Sequence, residues 1–132
     1  MSVLVPRDAL KAYISAALPG YVGAWPNVPD PGTLPRYEFA LTSPDRRGGI
    51  SAGEFIHERG RFVLTAVGAA GEGETATNAM ADAFIAAIPH GTEIPFPGGW
   101  IVITGEPNPD DGYRDGPEWR VTVRFPYQAF FP

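Results

Sequence analysis

The chain has no cysteine, so it can contain no disulfide, thiolate nucleophile or cysteine-bound metal. Its single lysine is Lys11, and the other basic residues are arginines, a bias that a GC-rich genome would produce together with abundant alanine, glycine and proline. The only histidines, His57 and His90, form neither an HxH nor an HxxxH pair, so metal catalysis is not expected. No apolar run reaches the roughly 18 to 20 residues that a membrane-spanning helix needs. The start, MSVLVPRDAL, lacks a basic region leading into a long apolar stretch, and no secretion signal is expected. Positive charge is also scarce: the net charge of -5 argues against nonspecific nucleic-acid binding, which depends on a basic surface.

What the chain does contain points to a folded protein. It has 132 residues, 44% of them hydrophobic and 19% charged, which fits one domain over residues 1–132 and excludes wholesale disorder. Sixteen glycines and fifteen prolines imply many turns and long loops around a modest regular core.

The hydrophobic spacing predicts two helices and four main strands. In PRDALKAYISAAL, Leu10, Ile14 or Tyr13, and Ala17 with Leu18 share a stripe, predicting a helix over about residues 6–18. Pro6 and Asp8 suit its first turn, and Pro19-Gly20 would end it. RYEFALT alternates as a half-buried strand, with Tyr37, Phe39 and Leu41 on one face. SPDRRGGISAGE, residues 43–54, reads as a mobile loop or hairpin tip. A long strand follows over about 55–68, with Phe62, Leu64 and Ala66 against Arg59, Arg61 and Val63. TATNAMADAFIAAIP has the clearest helical period, through Ala76, Ala79 with Met80, Ala83 with Phe84, and Ala87 with Ile88. Thr75 is its expected cap and Pro89 its stop. WIVIT and the alternating run from Trp119 to Phe125 are strands, and GEPNPDDGYRDGPE between them is a polar loop. The order predicts an α+β fold: a mainly antiparallel sheet with two helices packed on one face.

One stretch fits no element. AWPNVPDPGTLPRYEF, residues 24–39, has four prolines, which exclude both a helix interior and a central strand. It reads as a braced connector, stiffened so that folding loses less backbone entropy, with Trp25 and Val28 as its anchors to the core.

No catalytic constellation can be assembled. GAAGEG lies between strand and helix, where phosphate loops occur, but it lacks the P-loop Lys-Ser/Thr pair and the dinucleotide glycine spacing. Glu72 and Glu74 would repel an anion there, so a simple turn is expected. Asp110, Asp111 and Asp115 lack calcium-loop spacing and read as turn residues. His57 and Glu58 are strand neighbours pointing to opposite faces, which separates them as an acid–base pair. His90 falls at a helix end, where it would meet solvent or backbone carbonyls. No serine lies in a nucleophile-elbow motif. Neither a cofactor nor a metal is expected.

Two features suit binding instead. Arg59 and Arg61 on one strand, with Arg120 and Arg124 on another, could form a basic face, unless Glu58, Glu118 or Glu38 neutralises them. The loops at 43–54 and 107–117 are long for so small a chain. Predicted exposure selects Arg46, Arg47 and Ile50 in the first loop and Asp110, Tyr113 and Arg114 in the second as contact residues, along with Arg59 and Arg61.

Taken in order, these stretches resemble a family of small structural proteins of tailed phages and phage-like gene transfer agents, the tail terminators and tail-completion proteins. The similarity runs through the first helix, Trp25-Pro26-Asn27-Val28-Pro29, RYEFAL, HERGRFVLTAV, GAAGEGET with ATNAMADAFIAAIP, GGWIVI and EWRVTVRFPYQAF. It implies a protein without catalysis that assembles in the bacterial host cytoplasm and resides in the virion at the head–tail junction. There it would form a homo-oligomeric ring, commonly a homohexamer, on the head-proximal end of the tail tube. The ring would stop tube polymerisation and join the tail to the head. Its partners would be copies of itself, the major tail tube protein and the head connector or neck protein, with DNA free to pass through the lumen. The family has no catalytic motif to carry over residue by residue. Two other readings are a head-side connector or neck protein, and a small α+β ligand-binding domain or enzyme using the GAAGEG turn.

Overall fold

The structure is a computed structural model that describes residues 4–25, 34–47 and 56–131, with side chains described at 7–25, 34–42 and 57–130. The first helix, α1 (Leu4–Ala17), starts slightly earlier than its spacing suggests, so Asp8 lies beyond the first turn and Pro6 within it. Leu10, Ile14 and Leu18, one stripe at four-residue spacing, are almost completely buried. Tyr13 is only partly buried, and its hydroxyl donates to the Ala87 carbonyl at 3.3 Å.

A short strand, β1 (Gly23–Ala24), pairs in parallel with β2 (Arg36–Arg47). β2 then pairs antiparallel with β3 (Ile56–Ala69), and β3 with β8 (Glu118–Phe131). The far edge of β8 is shared by three short strands: β5 (Gly99–Ile103), β6 (Asn108–Pro109) and β7 (Tyr113–Asp115). β4 (Glu93–Phe96) pairs outside β5. The resulting eight-stranded, mostly antiparallel sheet with two helices bears out the α+β expectation.

Both expected loops are more regular than their composition suggests. β2 continues to Arg47 through a register shift between Thr42 and Asp45, placing Arg46 opposite Glu58 and Arg47 opposite His57. Residues 43–47 are therefore strand, despite a proline and turn formers; such a bulge is where a strand tolerates them. Ile50 and the rest of that loop lie outside the described residues. In the second loop, Asp110 Oδ1 accepts from the Gly112 amide at 3.1 Å and the Thr122 amide at 3.0 Å. The Asp110 amide returns a bond to the Thr122 carbonyl, so the segment is stitched along β8.

Pro126 sits within the long central strand β8, where a missing donor should disrupt pairing. Its carbonyl accepts from the Thr104 amide at 3.1 Å, so its nitrogen also faces the β5–β6 edge. β5 ends opposite Tyr127 and β6 begins opposite Arg124. The absent donor falls in the gap between them.

The second helix, α2 (Thr75–Ala87), covers the core face of β3 and β8. Glu74, not Thr75, is its N-cap, and no side chain caps it; the buried Thr77 hydroxyl instead donates back to the Glu74 carbonyl at 3.0 Å. The buried stripe is Thr77, Met80, Ala81, Phe84 and Ile88, whereas Ala76 and Ala79 are exposed. The large side chains set the face, because alanines bury too little area to orient a helix. Phe84 meets Tyr37 edge-on at 5.9 Å, and Phe62 stacks on Phe125 across the β3–β8 pair at 4.8 Å. Phe62, Leu64, Ala66, Val121, Val123, Phe125 and Tyr127 line the same face with almost no exposure, as alternation predicts.

Trp25 is the anchor the proline-rich connector requires. Its ring lies 5.8 Å from Tyr37 and 5.3 Å from Phe39, with Lys11 Nζ 5.5 Å from its centroid. Gly23 lets Tyr37 lie this close: a Cβ there would fall 2.6 Å from the tyrosine ring. Val28 lies outside the described residues.

Candidate functional site

The helices cover one face of the sheet, and the residues that alternate away from the core form the other. At the β7 end of this outer face, four charged side chains close on one another across three strands. Arg36 donates to Glu38 and Glu118, both at 2.9 Å. Arg120 donates to Glu38 at 2.9 and 3.2 Å and to Glu118 at 2.8 Å, with Asp115 at 3.5 Å. The bond from Arg120, followed by those from Arg36, holds the Glu118 carboxyl below its ordinary range, and Glu38 chiefly raises Arg120. Val67 pairs in register with both Arg36 and Arg120 and is fully buried, though it faces away from the core. The arginine stems shield it. Beside it, Thr65 and Thr122 are buried with their hydroxyls 3.3 Å apart.

Further along the same strands the face changes. Arg59, Arg61 and Arg124 are exposed, and none forms an ion pair with another described side chain; Arg59 stands opposite Asp45 of β2 in register, whose side chain is not described. Arg124 pairs in register with Val63, two positions from Arg61, and is thus its diagonal neighbour. Arg61 and Arg124, with Glu106, Asn108 and Pro126, line a cleft of about 190 Å³. Glu106 is mostly exposed, with its carboxylate 3.5 Å from His90 Nδ1.

Beyond the arginines runs a row of rings. His57, Phe130 and Trp100 are in register on β3, β8 and β5. His57 stacks on Phe130 at 4.7 Å and Trp100 on the same ring at 5.4 Å. Gln128 contacts His57 Nε2 at 3.0 Å, and Trp100 remains 40% exposed.

Three of the four arginines expected in a basic face are therefore open on it. Arg59, Arg61 and Arg124 share it, while Arg120 is occupied by Glu38 and Glu118. Glu58 turns to the core side, where it accepts from the Tyr127 hydroxyl at 2.7 Å. Arg46 and Arg47 join the β2 ladder rather than a free loop. Tyr113 and Arg114 are exposed on β7 at the opposite end, and Asp110 is engaged by the backbone amides. The residues the sequence reading missed are Trp100, His57 and Phe130. Alternation from Arg59 would have put His57 outward, but only strand register brings the three rings together.

At the GAAGEG turn, Gly71 and Gly73 adopt positive φ, and a cleft of about 100 Å³ lies beside them. Leu34, Pro35, Gly68, Ala69, Ala76 and Thr77 contribute to it, and Glu72 is its only charged side chain among the described residues. It is therefore no cradle for a phosphate. No group of three metal-ligating side chains occurs among the described residues, and none of their helices is long and apolar enough to cross a membrane.

Comparison with known proteins places this geometry in context. A family model described as phage tail terminator protein matches residues 7–127. A solved structure, 20% identical in sequence, superposes with a TM-score of 0.78 over 100% of this chain and 99% of its own, which shows a shared fold. No curated protein matches the chain.

Proposed function

The chain belongs to the phage tail terminator family and is a structural protein of phage tails; on that premise we propose that it forms a closed ring at the head-proximal end of the tail tube. A homohexamer is the form we favour. The ring stops further tube polymerisation and joins the tail to the head connector, acting in the virion without catalysis or cofactor. The observation that carries this reading is the family match over residues 7–127, nearly the whole folded chain.

The outer face fits an assembly role. Exposed arginines beside stacked aromatic rings are residue types that concentrate binding energy at protein contacts. Arg59 and Arg61 are proposed contacts there. Arg46, Arg47, Ile50, Asp110, Tyr113 and Arg114 are also proposed to meet neighbouring subunits, the tube or the connector.

Light scattering on purified protein, at high concentration and with tail tube protein added, tests the proposal. A discrete multiple of the 14.2 kDa chain is expected. A strict monomer that neither assembles nor binds tubes would count decisively against it.

A further inference from the structure

We propose that the arginine end of the sheet's outer face is one half of a head-to-tail contact between copies of this chain. The cleft between Arg61 and Arg124 receives a carboxylate from the helix side of the next copy. This rests on the ring reading above and assigns the surfaces that build the ring.

The arginine end of the outer face and the α2 segment on the other side of the layer carry opposite charge. On the sheet side, Arg61 and Arg124 are exposed without ion partners among the described side chains, with the exposed Arg59 next to them on β3. On the other side, every charge from Gly71 to Ile88 is acidic: Glu72, Glu74 and Asp82, all exposed. Asp82 lies well round the helix from Met80, Phe84 and Ile88, so it points away from the sheet. The apolar features match as well. Stacked rings flank the arginines, and the apolar cleft of about 100 Å³ adjoins Glu72. Because different surfaces meet, the contact is heterologous, the kind that closes into a ring when the rotation allows.

The cleft's own charge selects the ligand. Two arginines and Glu106 leave a net charge near one, which suits a single carboxylate. A DNA backbone needs many neutralising contacts, and the chain's net charge is -5.

The test uses the full chain in two charge-reversed forms, Arg61→Glu with Arg124→Glu, and Glu72→Arg with Asp82→Arg. All four positions are exposed, so circular dichroism should match the parent. Mass photometry should show rings for the parent, and each variant alone should need on the order of tenfold more protein, or more, to assemble. An equimolar mixture should restore rings, because each altered face then meets an altered partner in alternating order. The milder pair Arg61→Gln with Arg124→Gln should weaken assembly in the same direction, which keeps the test open if a reversal misfolds. Either reversed variant forming rings at the parent's concentration overturns this contact but leaves the ring reading standing. A parent that stays monomeric, even with tail tube protein, overturns both. A parent that binds duplex DNA through Arg61 and Arg124, with assembly unaffected by their reversal, assigns the face to nucleic acid and overturns the proposal.

Discussion

At one end of the sheet's outer face, Arg36, Glu38, Glu118 and Arg120 satisfy one another; at the other, Arg59, Arg61 and Arg124 face solvent along the same two long strands. The residue types are alike, and the surroundings differ. In the closed end, acids stand within reach of each guanidinium, and the apolar stems shield Val67. In the open end Arg59 stands beside the row of rings and opposite Asp45 of β2 in register, while Glu106, which lines the cleft with Arg61 and Arg124, lies 3.5 Å from His90. Charge that is matched within the chain braces the fold. Charge without a partner among the described side chains is proposed to meet another molecule.

Phe84→Ala removes a fully buried ring that meets Tyr37 beneath the sheet and should destabilise the protein by about 3 to 5 kcal/mol in urea unfolding. A near-neutral result would mean that α2 is not seated as described. Arg36→Ala leaves Glu38 and Glu118 facing each other, short of one cation, and should cost about 2 to 4 kcal/mol; partial exposure of both acids keeps it below a fully buried case. A smaller effect follows from pH. Glu118 binds a proton more weakly folded than unfolded, so its stabilisation is complete above its ordinary value of 4.5 and declines as pH falls below it. The Arg36→Ala variant should lose part of that acid sensitivity, measured as the unfolding midpoint against pH. Arg61→Ala and Arg124→Ala should each change stability by less than about 0.5 kcal/mol, since both are exposed and neither forms an ion pair with a described side chain. A loss as large as that of Arg36→Ala would erase the distinction between the two ends.

Much of this architecture is legible in the sequence. Strict alternation marks Phe62, Leu64 and Ala66, and Val121, Val123 and Phe125, as core, while helical spacing marks Leu10, Ile14 and Leu18. Those signals are local and periodic. The outer face is only partly legible, because its fate depends on which strand lies beside which. Arg120 and Arg124 occupy equivalent outward positions, yet Glu38 stands 82 positions from Arg120 in sequence and 2.9 Å away in space. The β2 bulge hides behind turn-forming residues, and Pro126 reads as a strand breaker until β5 and β6 are seen to part around it. The short strands β1, β4, β6 and β7 carry too few residues to show a period at all.

The most direct test of the assembly role is an electron micrograph of the purified protein mixed with tail tubes. Rings of uniform diameter are expected, free in solution or seated at one end of each tube. Tubes that keep growing with bare ends, in a field without rings, would contradict it.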